Sequence, residues 1–113
     1  MRKTDKKLDK QITLVLNDIC ETKLKDYSGF KWVTHLANFS NFPNSLKIAI
    51  VFDTNQSLTL FRTTNNDSKI ISLIQDKLSK NGIAIKDPIK KIIFDTEENC
   101  EQQHGGNWQL RLS

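Results

Sequence analysis

The side chains best suited to chemistry lie in a phrase that occurs twice. Phe52-Asp53-Thr54 and Phe94-Asp95-Thr96 each put a carboxylate at the end of an apolar run, and Glu97 and Glu98 follow the second. A crossover between the two runs would make them parallel strands, with both carboxylates at one sheet edge. Carboxylates gathered in that way can hold Mg²⁺ or Mn²⁺ for phosphodiester chemistry. The enzymatic reading is therefore a metal-dependent phosphodiesterase using Asp53 and Asp95. Against it, no Glu-x-Lys follows on a strand and no general base is evident, and Asp-Thr after a strand more often makes a turn or a cap. Cys100 and His104 have C-x3-H spacing, but a structural zinc site needs four ligands and the only other histidine is His35. No Gly-rich phosphate loop and no nucleophile elbow is present. The expectation is a non-enzymatic protein with no metal site and no cofactor.

The element that must position the first carboxylate is Ser45 to Thr54, SLKIAIVFDT. Leu46, Ile48, Ile50 and Phe52 point one way in an extended chain, and Lys47, Ala49, Val51 and Asp53 the other. Both faces are mostly apolar, as in an interior strand at least partly covered on both sides. Ahead of it, Leu8, Ile12, Val15, Leu16, Ile19 and Cys20 recur at spacings of three and four, which predicts a helix over about 4–25 capped by Thr4 or Asp5 and ended by Ser28-Gly29. Phe30 to Phe39 reads as a first strand with Trp32, Thr34 and Leu36 on one face. The turn 40–45 should pair it antiparallel with the second. Residues 55–65 carry signals for both strand and a short helical turn, with the balance toward the turn. Asn66 to Lys80 is a clear helix with Ile70, Ile71, Leu73, Ile74 and Leu78 buried, ended by Asn81-Gly82. Ile89 to Phe94 predicts a third strand, 96–107 a loop, and Trp108 to Ser113 a fourth strand.

The resulting order is α-β-β-α-β-β in a single domain, 1–113. It is an α+β fold with a four-stranded mixed or antiparallel sheet and two main helices on one face. The opposite face would then expose Lys31, His35, Phe39, Lys47, Lys91 and Arg111 beside Val33, Ala37, Ala49, Val51 and Ile93. Cations interleaved with rings suit single-stranded nucleic acid, with phosphates on the cations and bases on the rings. The predicted function is a small binding protein acting on DNA, RNA or a protein partner through those six residues. The alternative is an interaction module that forms a homodimer through the apolar strip of the same face.

A chain of 113 residues with 37% hydrophobic and 27% charged side chains can bury one core without staples. No apolar run approaches the roughly 18 residues of a membrane span, and the charged start has no signal-peptide pattern, so a cytoplasmic location is expected. Cys20 falls in the helical apolar pattern, Cys100 sits among Glu97, Glu98 and Glu101, and a reducing compartment argues against a disulfide. The net charge of +4 hides an asymmetry: the stretch 95–101 holds four carboxylates and no cation, so the rest of the chain stands at +8. A sequence pI near 9.1 favours anionic partners, nucleic acid first. Residues 1–10 alone carry Arg2, Lys3, Lys6, Lys7 and Lys10, on a helix long enough for its first turns to project beyond the sheet.

The opening MRKTDKKLDK, the segment GFKWVTHLANFSNFPNSLKIAIVFDTN and the later IIFDTEENC together resemble a family of small bacterial proteins labelled Fis-family transcriptional regulators. The resemblance spans most of the chain and implies a regulatory role with no catalytic residues. Fis-type regulators themselves are helical dimers that place a C-terminal helix-turn-helix in the DNA major groove. The strand-like reading of IKKIIFDT and NWQLRLS leaves no helix pair after residue 81, so no DNA-contacting residue carries over.

Overall fold

The N-terminal pattern folds as α1, Lys3–Thr22, followed by a single 3₁₀ turn at Leu24–Asp26. The structure, a computed structural model, describes residues 3–112. Thr4 and Asp5 lie inside α1 and do not cap its start. The strands are β1, Phe30–Leu36, β2, Lys47–Phe52, and β3, Ile92–Thr96. Between β2 and β3 run α2, Asn55–Thr63, α3, Asn66–Lys80, and the single turn α4, Pro88–Lys91. After β3 come α5, Glu97–His104, and α6, Trp108–Leu112.

The sheet has three strands, not four, in the order β1-β2-β3. β1 pairs antiparallel with β2, and β2 pairs parallel with β3 through the α2–α4 crossover. The class is α+β, but the expected α-β-β-α-β-β order fails at its last strand: Trp108 to Leu112 is helical. Trp108 and Leu112 are spaced for one helix face as well as for one strand face, and Asn107 decides between them. Its carbonyl accepts from Arg111 N–H at 3.1 Å and its Oδ1 from Leu110 N–H at 3.0 Å, which starts a helix and leaves Leu110 59% exposed. The expected loop 96–107 is likewise helical over most of its length. Ile89, expected in β3, sits on α4 and is 80% exposed. The ambiguous stretch 55–65 resolves as α2, which buries Leu58 and Phe61.

β2 is the shared wall. Ile48, Ile50 and Phe52 join one core with Ile12, Leu16 and Ile19 of α1, Phe61 of α2, and Ile70, Ile74 and Leu78 of α3. Phe61 is central to it, with ring centroids 4.8 Å from Phe52 and from Tyr27. On the other side of β2, Ala49 and Val51 are 0% exposed yet stand outside that core. Asp95, in register with Val51, is held by Arg111, and Trp32, also paired with Val51, meets Trp108 edge-on at 4.8 Å. The second face is therefore covered by α5 and α6, and the expected open sheet face does not exist.

β1 is also turned over relative to its simple alternation. Its register with β2 slips between Phe30 and Trp32, leaving Lys31 as a bulge. Phe30 stays with Phe52 on the helix side, but the extra residue sends Trp32, Thr34 and Leu36 to the α6 side. Val33 and His35 come under α1 instead, opposite Ile50 and Ile48.

Candidate functional site

The two Phe-Asp-Thr phrases end neighbouring parallel strands, and both end in the same way. Asp53 Oδ1 accepts from Thr54 N–H at 2.6 Å, and Asp95 Oδ1 from Thr96 N–H at 2.8 Å. Thr54 Oγ1 then accepts from Ser57 N–H at 3.2 Å and Thr96 Oγ1 from Asn99 N–H at 3.0 Å, capping α2 and α5. The phrase is a repeated strand-to-helix turn. The two helix starts are also tied together. Thr96 Oγ1 donates to Asn55 Oδ1 at 2.7 Å, Asn55 Nδ2 to Asn99 Oδ1 at 2.9 Å, and Asn55 N–H to Glu98 Oε1 at 2.8 Å. Glu98 thus places a carboxylate at the positive end of α2, where an external anion would otherwise be favoured.

The two aspartates differ in what holds them. Asp95 is held in a two-point pair by Arg111, with Nε to Oδ2 at 2.5 Å and Nη2 to Oδ1 at 2.9 Å, and both side chains are largely buried. The hydrogen bonds to Asp95 push the guanidinium pKa above its ordinary value despite burial. Arg111 Nη1 also donates to Gln103 Oε1 at 2.7 Å and lies 3.2 Å from His104 Nδ1. Asp53 is more open. The Ser57 hydroxyl, then the Thr54 N–H, hold its carboxyl below the usual carboxylate range, with a smaller contribution from the Lys31 charge. The Asp53 turn is closed by Gly29, whose φ is +85° and whose carbonyl accepts from Asp53 N–H at 2.8 Å. A Cβ on Gly29 would lie 2.4 Å from Ser57. Among the described residues, no group of three or more His, Cys, Asp or Glu side chains converges as a metal site would require. Cys20 and Cys100 are free thiols, and burial pushes the pKa of each upward, away from nucleophilic character.

The six residues expected on one binding face are scattered. Lys31 is the exposed bulge of β1. His35 faces α1, with Nε2 2.7 Å from Asp9 Oδ1. Phe39 lies in a 3₁₀ turn and stacks on Phe42 with centroids 5.3 Å apart. Lys47 pairs with Leu36 at the start of β2, on the α6 side. Lys91 ends α4 and donates to the Asn44 carbonyl. Arg111 belongs to α6 and is committed to Asp95. The apolar strip expected to meet a second copy fares no better, because Ala49 and Val51 are fully covered. A helix pair does follow residue 81, α5 and α6, but α6 has five residues and turns Trp108 and Leu112 toward the sheet.

Two surfaces stand out in their place. Lys3, Lys6, Lys7 and Lys10 are exposed on α1 and fall within an arc of roughly 100°, opposite the buried Ile12, Val15, Leu16 and Ile19. Among the described residues, none of the four lysines forms an ion pair. Asp5 and Asp9 point away from that arc. The spacing i, i+3, i+4, i+7 was the signal in the sequence that gathers these lysines. The second surface is an open groove of about 530 Å³ between Trp32, Thr34 and Leu36 of β1 and Trp108, Gln109 and Leu112 of α6, bordered by His35. No described helix is long and apolar enough to cross a membrane. Comparison with family models, curated proteins and solved structures gave no match to this chain.

Proposed function

We propose that this protein binds nucleic acid, DNA or RNA, without catalysing a reaction, and that it does so through the lysine arc of α1. The observation that carries the reading is the set of Lys3, Lys6, Lys7 and Lys10 on one exposed face, with no carboxylate partner among the described residues. Phosphate backbones are bound by releasing condensed counterions, and unpaired ammonium groups are what that exchange requires. The four lysines span about 10 Å along the helix at 1.5 Å per residue, a length that fits consecutive phosphates of one strand. The acidic stretch 95–101 lies on the C-terminal elements, and its carboxylates Asp95 and Glu98 are taken up internally. The resemblance to proteins labelled as transcriptional regulators points the same way.

The test is a salt titration of binding to mixed single- and double-stranded oligonucleotides. Four neutralised phosphates give a slope of log K against log salt of about −3.6 on duplex DNA and about −2.8 on single strands. Lys6→Glu with Lys10→Glu should weaken binding and flatten the duplex slope by about 1.8. Lys69→Glu, an exposed lysine of α3, should leave the slope unchanged. Binding insensitive to salt, or equal loss in the Lys69 variant, would remove the reading.

A further inference from the structure

The groove beside β1 adjoins a strand edge with no described strand paired to it. β1 is the outer strand of the sheet, and none of its seven residues is fully buried, whereas five of the six in β2 are. Among the described residues no backbone hydrogen bond is made from the outer side of β1 between Lys31 and Leu36. Proteins commonly guard such an edge with proline, lysine or a bulge. Here Lys31 and its bulge guard only the first end, and Trp32 to Leu36 carries no proline and no lysine. We propose that this edge takes up an extended, acidic-ended segment of a partner protein as an added antiparallel or parallel strand.

The groove supplies the specificity that backbone pairing lacks. An added strand sends every second side chain to the α6 side, where Trp32, Thr34 and Leu36 form one wall and Trp108, Gln109 and Leu112 the other. Those alternate positions must be apolar or aromatic. Charge selects the ends. Among the described residues, the groove lining holds no carboxylate, and Lys47, across from Leu36 on the same face, forms no ion pair. A carboxylate on the segment passing Leu36 would meet that ammonium. A second copy of this chain is a poorer occupant, because its own β1, FKWVTHL, brings Lys31 and no acid. The surface is separate from the lysine arc of α1, so either reading can fail without the other.

The probe is an acetylated nonapeptide alternating threonine with leucine and phenylalanine between terminal glutamates, titrated into the ¹⁵N-labelled full chain. Binding should slow exchange of the β1 amides 32–36 and shift the Trp108 indole signal. The same peptide N-methylated at alternate amides should bind at least 10-fold more weakly. Lys47→Glu should reverse the preference, so that a lysine-ended peptide binds better than the glutamate-ended one. Three results would overturn the proposal: no binding at millimolar peptide, shifts confined to α1 or α3, or a peptide-free protein that self-associates with β1 already protected.

Discussion

At the residue scale, the function of Arg111 depends on what it leaves behind when removed. The guanidinium satisfies both oxygens of a largely buried Asp95 and reaches Gln103 and His104 as well. Arg111→Met would strand that carboxylate, and removing one partner of a buried pair costs about 3 kcal/mol or more. Replacing Asp95 with asparagine in the same chain should recover a large part of the loss, which urea denaturation of the single and double variants can read. Asp53 makes a different prediction. Its folded pKa lies below the ordinary value because Ser57 and Thr54 donate to the charged form. A depressed carboxylate stabilises the fold above the unfolded-state pKa, and that contribution is lost as pH falls through the folded-state value. Stability should be level above about pH 5 and decline with acid below about pH 4. The decline should be shallower in Asp53→Asn. An unchanged acid limb in that variant would show that the Ser57 bond does not discriminate between protonation states.

At the element scale, α6 depends on a single short side chain at its start. Asn107→Ala removes the Oδ1 acceptor for Leu110 N–H, a loss of about 1 kcal/mol measurable by thermal or urea unfolding. This cap also marks where the sequence was hard to read. Long elements with a full apolar stripe were legible: α1, α3 and the core side of β2 fall where their spacing puts them, and Asn81-Gly82 ends α3 as expected. α5 was not, because Cys100 is its only buried residue and a helix with one buried position shows no periodicity. Its signals were local ones, the Thr96 cap, two acids in the first turn and Gly105 in the left-handed region. In α6, five residues satisfy the strand and helix periods alike. β1 departs from its simple alternation for a third reason. One bulged residue at Lys31 exchanges the faces of everything after it, and nothing in FKWVTHL announces a bulge. That exchange moved His35 under α1 and put Trp32 in the groove. The candidate site was legible only as a list of cations, since which cations share a surface depends on faces. The lysine arc of α1 needed just a helical wheel, and the groove needed the covering helix that the sequence concealed.

At the scale of the whole molecule, the sheet separates two layers of very unequal size. Among the described residues, the core against α1, α2 and α3 contains seventeen buried ones. The layer under α5 and α6 rests on few buried groups, chiefly Ala49, Val51, Cys100, Leu112 and the Trp32–Trp108 contact. A layer with so little buried surface should open on its own, below the free energy of global unfolding. Amide hydrogen exchange should then show α5 and α6 exchanging through a partial opening, with β2, covered by both layers, exchanging only when the whole chain unfolds. A core substitution separates the two processes. Ile74 is fully buried against α1 and the sheet, and Ile74→Val typically costs about 1 kcal/mol. That loss lowers the exchange free energies of β2 and α3, because global unfolding exposes residue 74. It leaves those of α5 and α6 unchanged, because the partly open form keeps Ile74 packed. If every amide shifts by the same amount, the C-terminal pair is part of one cooperative unit and α6 is a permanent wall of the groove. If only the core amides shift, α6 can lift without unfolding, and the groove between Trp32 and Trp108 widens from within the native ensemble.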